Sequence, residues 1–317
     1  MRSAVVRDRR GLLRAVAVAA VAVGMLVGCG SGPSQIGAAA LVGDTAIPVD
    51  RVQQQLDRVL TKEGEQAKAQ LVAGDQLDDV SRDILTDAVR HELLAVAARR
   101  EGLSVEDEQI TDRLRELGGP EAASAGTIFD AQSIRTRARD QLLTVELARK
   151  YLPRLAVTVD YTTAATRTAA MQRVQQLSEA GPDRAREIIE ADAEQGVPAG
   201  LDQEIFAAEN PALAAGPMFG VDEGTVVAFP SDQDAGSWLV MVVTERSTNA
   251  QGGGAIDELG PTLLEAVGLR QLAPIAKDLG VRINPRYGLW DPVSVRVAPN
   301  ENETAGFVAP LREPAAA

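Results

Sequence analysis

Residues 79–117 read DVSRDILTDAVRHELLAVAARREGLSVEDEQITDRLREL, and the spacing of their apolar side chains predicts two consecutive helices. On the first helix, from about Asp79 to Arg100, apolar residues recur every three or four positions and therefore share one face. Gly102 ends this helix, because glycine readily adopts the left-handed conformation found after a helix C-terminus. Ser104, with an acidic residue three positions later, is typical of the cap of the next helix.

The segments on either side of this stretch extend the helical pattern. Residues 40–48 predict a short apolar strand with a Gly-Asp turn, and Asp50 is placed to cap a helix whose apolar stripe runs over 52–60. After a loop of small residues, a long helix is expected from Ser133 until Pro153, where proline ends it. We therefore expect a helical lobe in the first half of the chain.

The second half has a mixed pattern, and together the two halves predict a predominantly helical α+β protein. Glycine and proline divide it into short segments, and a Gly-rich hinge near residue 252 separates the last of them. The expected helices span about 160–180, 184–195 and 257–279, and the expected strands span 225–229, 237–243 and 281–284.

The first residues have the pattern of a bacterial export signal. Five arginines up to Arg14 precede an uncharged run over 15–27, which is too short to span a bilayer but has the length of a signal-peptide core. The run ends in Leu-Val-Gly-Cys and resembles a lipobox, in which the cysteine carries two acyl chains. We expect residues 1–28 to be a lipoprotein signal peptide and Cys29 to be lipidated; an ordinary signal peptide is the alternative.

The composition excludes several classes of function. The formal net charge is −13, and it becomes −17 without the leader, which carries five arginines and one aspartate. Such a surface repels nucleic acids. Cys29 and His91 are the only cysteine and histidine, so we expect no disulfide, no metal and no cofactor once the cysteine is acylated. His91 is expected at the surface or its boundary, without a catalytic partner.

Two terminal segments and one loop are expected to lack regular structure. Residues 29–40 are small, polar and turn-rich, which predicts a flexible tether, and residues 293–317 predict a disordered tail. Asp232, Asp234 and Gly236 are spaced like part of a calcium loop, but the position of the bidentate glutamate is Val243, so a plain turn is expected.

The order of three motifs resembles the SurA and PrsA foldases, and specifically SurA-N-terminal-domain lipoproteins. These motifs are VGDTAI at 42–47, the segment from Leu93 to Glu108, and the segment from Ala138 to Tyr151. The resemblance implies a helical chaperone lobe over 41–156. It also implies that a returning helix and strand, over 251–292, complete this lobe.

The insert over 157–250 resembles a degenerate parvulin-type prolyl isomerase domain. Residues 224–230 stand at one strand motif of that family and 236–242 at a second. In the second motif the family has a histidine where this chain has Trp238, and no histidine follows His91. Because an indole cannot replace a pair of hydrogen-bonded histidines, we expect no catalytic residue here.

The resemblance implies a membrane-anchored chaperone on the extracytoplasmic face of the cell membrane. Its partners would be unfolded or nascent exported proteins, bound in an apolar groove of the helical lobe without catalysis. Two alternatives stay open from the sequence: a peptidyl-prolyl cis-trans isomerase with an atypical site, and a dedicated envelope scaffold lipoprotein.

Overall fold

The structure is a computed structural model that describes residues 37–74, 76–231, 236–254 and 256–312, which belong to one compact unit. Five consecutive helices follow a first hairpin, helices and strands are mixed in the rest of the chain, and the predicted predominantly helical α+β class is confirmed. In chain order the elements are β1 Ala38–Val42, β2 Thr45–Pro48, α1 Val49–Ala73, α2 Leu77–Glu101, α3 Asp107–Glu116, α4 Pro120–Ser124, α5 Ile134–Tyr151, β3 Ala156–Ala164, α6 Arg167–Ala180, α7 Pro182–Glu194, β4 Gly200–Phe206, α8 Pro211–Ala214, β5 Thr225–Pro230, β6 Trp238–Ser247, α9 Pro261–Arg270, α10 Leu272–Leu279, β7 Val281–Ile283, β8 Leu289–Asp291, β9 Arg296–Ala298 and β10 Phe307–Pro310.

A small antiparallel sheet joins the two ends of the helical lobe. Its strand order is β2-β1-β7, and Gly43 makes the tight turn between β1 and β2 in the left-handed region, with φ 57°. On the other side of β1, Ala40 lies opposite Ile283 of β7. All residues of β1 are buried, so the prediction of a tether as far as residue 40 is wrong for residues 38–40, whose small apolar side chains belong to the core.

The long helix α2 is the centre of the helical lobe. Its apolar face, which includes Leu85, Val89 and Leu93, is fully enclosed by α1, α5, α10 and the small sheet. Gly102 ends the helix with φ 65°, as the sequence predicts. The next cap differs from the prediction: the N-cap of α3 is Glu106, which exchanges backbone and side-chain hydrogen bonds with Gln109.

The helix expected over 257–279 is two helices with a break at Gln271. The backbone N–H of Gln271 donates to the carbonyls of both Val267 and Gly268, which tightens the end of α9. Its side chain is buried, and its Oε1 atom accepts a hydrogen bond from Arg246 at 3.1 Å. The break therefore lets α9 pack against α5 while α10 turns towards α2.

A five-stranded antiparallel sheet with the order β10-β5-β6-β3-β4 forms the second layer of the protein. Side chains along β6 alternate between its two faces. Trp238, Val240 and Val242 pack beneath α6 and α7, while Met241 and Val243 pack towards α9 and the end of α5. Both faces of the sheet are therefore covered by helices.

The helix expected over about 160–180 begins later than predicted, because residues 156–164 form strand β3. This strand lies between β6 and β4, and α6 starts after it with Thr166 as N-cap, whose hydroxyl accepts a hydrogen bond from the Ala169 amide at 3.1 Å. A central position in the sheet favours the β-branched residues of this segment.

The prediction of a disordered tail over 293–317 is wrong for residues 293–312. β9 pairs with β8, and β10 pairs antiparallel with β5, with Val308 opposite Val227. Val293, Val295 and Val297 are buried, so the segment contributes core side chains. Residues 313–317 lie outside the described part of the chain.

Candidate functional site

The cavities between the first helices of the described chain are small and charged. One of about 170 Å³, between α1, α2 and α5, is lined by Arg51 and Asp87 among others. Another of about 290 Å³, between α1 and α2, is lined by Asp78 and Arg82. Charged walls disfavour apolar ligands, so an apolar binding surface has to lie elsewhere in the molecule.

A wider and more apolar cavity, of about 720 Å³, lies where α10 and β7 face β5 and β10. Its walls include Ala276, Ile283, Leu289, Trp290 and Val308. The returning elements of the helical lobe form one wall and the edge of the five-stranded sheet forms the other. The cavity therefore depends on both parts of the fold.

A second cavity, of about 600 Å³, adjoins the first between α6 and β10. Leu289, Trp290, Pro292 and Val308 line both cavities, and we call the two together the β10 groove. Met171 is 48% exposed and Val308 is 37% exposed, and both line this groove. Large exposed apolar side chains that cluster in one depression indicate a binding surface.

Strand β10 is an edge strand whose free side is largely closed. The Leu311 amide donates to the Gly224 carbonyl at 2.7 Å. Because hydrogen bonds alternate along an antiparallel strand, the backbone N–H and C=O positions of Val308 and Pro310 face away from β5, towards the free edge. Pro310 has no N–H, and its carbonyl accepts a hydrogen bond from Ser178 Oγ at 2.6 Å. A bound segment would therefore be held by burial of side chains more than by addition of a strand.

Asp291 fixes the wall of the groove that carries Trp290. Its carboxylate is 1% exposed and accepts hydrogen bonds from the Val293 amide at 2.9 Å, the Ser294 hydroxyl at 2.6 Å and the Ala305 amide at 2.7 Å. A buried carboxylate with three donors holds its partners firmly. This residue therefore ties the turn after β8 to the segment that leads into β10.

Arg167 ties the same segment to α6. Its guanidinium donates to the Thr304 and Glu301 carbonyls at 2.7 and 2.9 Å, and its Cζ atom lies 4.6 Å from the centre of the Phe307 ring. The contact combines charge-assisted hydrogen bonds with a cation–π interaction. Arg167 therefore holds residues 301–307, most of which line the groove, against α6.

Trp238, which stands where the parvulin family has a histidine, is a core residue in this structure. It is 9% exposed, and its ring centre lies 5.7 Å from that of Phe307 and 5.5 Å from Arg167 Cζ. Within the described residues, no group of His, Cys, Asp and Glu is arranged to hold a metal ion. Asp232 and Asp234, of the calcium-loop pattern, lie outside the described residues.

The comparisons with known proteins bear on the N-terminal part of the chain. Residues 3–119 match the family model of the SurA-like N-terminal domain. The resemblance to the SurA N-terminal domain that the sequence predicts is therefore confirmed over this stretch. No curated protein matches the chain significantly.

Two solved foldases are similar to this chain. Foldase protein PrsA from Lactococcus lactis is 10% identical, with 78% of this chain and 94% of that chain covered and a TM-score of 0.27. Foldase protein PrsA from Streptococcus pneumoniae is 11% identical, with 74% and 89% covered and a TM-score of 0.21. Because both TM-scores are low, the arrangement of helices and strands described above rests on the present structure and not on these two foldases.

His91 lies at the boundary between surface and interior, as the sequence predicts, but it has a hydrogen-bond partner that the sequence does not indicate. The residue is half-buried, and its Nδ1 atom lies 2.8 Å from Oδ2 of Asp140 on α5. This hydrogen bond raises the pKa of His91. Asp140 is 49 positions away on another helix. The apolar pattern does not predict which residues of α2 and α5 face each other, so the sequence does not indicate this pair.

The remaining predictions for the N-terminus lie outside the described residues. These are the signal peptide over 1–28, lipidation of Cys29 and the tether over 29–36. In the part of the chain that the structure describes, no helix is both long enough and apolar enough to cross a bilayer.

Proposed function

We propose that the protein is a membrane-anchored extracytoplasmic chaperone that binds unfolded or partly folded exported proteins without catalysis. The observation that carries this proposal is the β10 groove, where two adjoining cavities expose Met171 and Val308 beside Trp290. The match to the SurA-like N-terminal domain supports the same conclusion.

The chemistry of the groove suits clients of varied sequence. Cavities of about 600 and 720 Å³ are in the size range of specific ligand sites, but these two are open and largely apolar. Met171 has a flexible thioether side chain that adapts to different partners. Because β10 offers few free backbone groups, binding depends on apolar burial and tolerates many client sequences.

The location of the groove also suits a holding function. Exported proteins expose apolar segments and strand edges before they fold, and these segments aggregate when they meet one another. A groove that covers such a segment lowers the concentration of exposed apolar surface. Acylation of Cys29 would keep this activity beside the membrane that the clients have crossed.

Aggregation of a denatured client, followed by light scattering, tests the proposal. The protein should suppress aggregation at stoichiometric ratios with several unrelated clients, and Met171→Lys should weaken suppression several-fold, because a charge in the groove must be desolvated when a client binds. Leu117→Lys is the matched control, since Leu117 is 39% exposed but lies away from the groove.

Two outcomes would contradict the proposal. Equal suppression of aggregation by the Met171→Lys and Leu117→Lys variants would show that the groove does not bind the clients. Absence of suppression with every client would remove the chaperone function, and turnover of a proline peptide in a protease-coupled assay would then favour the isomerase alternative. Buried Trp238 at the position of the family histidine argues against that alternative.

A further inference from the structure

The charged cavity between α1, α2 and α5 holds an unusual arrangement of acidic groups. His91 and Asp140 form a pair at 2.8 Å across α2 and α5, and Asp87 lies one helical turn before His91 on the same face of α2. All three line the cavity of about 170 Å³. Two carboxylates and the only histidine of the chain therefore share one small, partly enclosed space.

Among the described residues, Asp87 has no hydrogen bond or ion pair of its own, although it lines the same cavity as the paired His91 and Asp140. It is partly buried and close enough to Asp140 for the two charges to repel each other. A carboxylate in this setting favours its neutral form. The other charged groups that face the cluster are Arg51 and Arg58 on α1, Arg90 and Glu92 on α2, Arg137 on α5, Glu265 on α9, which pairs with Arg137, and Arg296 on β9.

We propose that Asp87, His91 and Asp140 form a proton-binding cluster that tightens the packing of α2 against α5 as the pH falls below neutral. The helical lobe would then be most stable against unfolding in mildly acidic surroundings. This effect needs no metal ion and no partner protein, because it consists of the protonation of Asp87 and of His91.

The two groups act in the same direction. Burial raises the pKa of Asp87 from 3.8 to about 6, so the folded state takes up a proton that the unfolded state does not hold between these values. The hydrogen bond to Asp140 raises the pKa of His91 above 6.5, so its contribution is present below 6.5 and is lost as the pH rises through the folded value. Stability therefore falls as the pH rises from about 4 to above 6.5.

Groups with the opposite linkage act in a lower pH range. Burial opposes the shift at Glu101 and Asp130, but hydrogen bonds outweigh it and lower the pKa of both carboxylates. Their stabilisation is lost only when the pH falls below their unfolded values of 4.5 and 3.8 and through the lowered folded values. Between about pH 5 and pH 7.5 the proton-binding cluster should therefore dominate the pH dependence.

Urea unfolding at about pH 5 and pH 7.5 tests the proposal, and for Asp87 alone the unfolding equilibrium constant should be roughly tenfold smaller at the lower pH. In Asp87→Asn this difference should shrink to the part that His91 supplies, because the amide keeps the shape and cannot ionise. Asp78→Asn is the matched control, since Asp78 is exposed in the first turn of the same helix and lies outside the cavity of about 170 Å³, and this variant should keep the full difference between the two pH values.

The single histidine gives a second, direct readout. An NMR titration of the imidazole should place the pKa of His91 above 6.5, and Asp140→Asn should lower it. A titration at or below 6.5 in the unmodified protein would overturn the pairing. If the unfolding equilibrium constant of Asp87→Asn still changed as much between the two pH values as that of the unmodified protein, Asp87 would have no role in the pH dependence, even if His91 titrates as expected.

Discussion

Gly268 lies where α9 crosses α5, and its replacement by alanine is the sharpest test of how the two layers are joined. A Cβ atom at this position would lie 2.0 Å from the Thr144 carbonyl oxygen and 2.8 Å from Thr144 Cγ2. Thr144 is 1% exposed, and its hydroxyl donates to the Asp140 carbonyl at 2.7 Å, so it has no room to move aside. Gly268→Ala must therefore push the helices apart.

The expected loss of stability follows from two opposing effects. Alanine favours a helix by about 1 kcal/mol over glycine, while overpacking a close helix contact costs about 1–3 kcal/mol or more. A required separation of more than 1 Å at an enclosed backbone contact belongs at the upper end of that range. We expect a net loss of about 2 kcal/mol, which lowers Tm by roughly 3–4 °C, given an unfolding entropy of about 2.1 cal/mol/K per residue in a chain of this size.

Thermal unfolding followed by circular dichroism measures the effect, with Gly253→Ala as control. Gly253 lies in the loop between β6 and α9, its φ is outside the left-handed region, and a Cβ atom there meets nothing within 4 Å. The control should therefore change the free energy of unfolding by less than about 0.5 kcal/mol. A Gly268→Ala variant as stable as the original protein would refute the inferred close contact between α5 and α9.

Two further predictions concern the groove wall and the anchor. Asp291→Ala should cost about 3 kcal/mol or more, because three donors lose a buried acceptor, and limited proteolysis should then cut within 292–312 faster than in the original protein; unchanged proteolysis would contradict the role assigned to this carboxylate. Cys29→Ser should abolish metabolic labelling by palmitate and release the protein from the membrane fraction, since the proposed acyl chains would supply the anchoring energy; a variant that stays membrane-bound would count against lipidation as the attachment.

The helices of the first lobe could be predicted because each carries a long, regular apolar face. α2 combines such a face with a glycine at its end, and both signals are local in sequence. The sequence pattern predicts the cap of α3 two residues early, because Ser104 and Glu106 both satisfy it. Only the observed hydrogen bond from the Glu106 amide to Gln109 Oε1 separates them.

Strand β3 could not be recognised because its polar residues are buried. Thr162 donates to Asp192 Oδ2 of α7 at 2.7 Å, and Asp160 accepts a hydrogen bond from the Asp202 amide at 2.7 Å. A strand usually alternates apolar and exposed polar residues, and here the polar positions are covered by a helix. The resulting pattern of apolar and polar residues resembled the start of an amphipathic helix.

The β10 groove could not be predicted because its parts come from distant segments. Met171 belongs to α6, Trp290 to β8 and Val308 to a four-residue strand whose partner, β5, lies far upstream. Short edge strands carry little local signal, and the composition of the last residues favoured disorder. The groove becomes visible only when the tail is seen to pair with the sheet.

The pairing of β1 with β7 also dictates when the protein can complete its own fold. A ribosome synthesises β1 and α2 well before α10 and β7, because most of the other elements lie between them in the sequence. During this time one edge of β1 has no paired strand, and the apolar face of α2 lacks the side chains of α10 that pack against it. The nascent chain therefore exposes apolar surface that can aggregate until α10 and β7 have been synthesised.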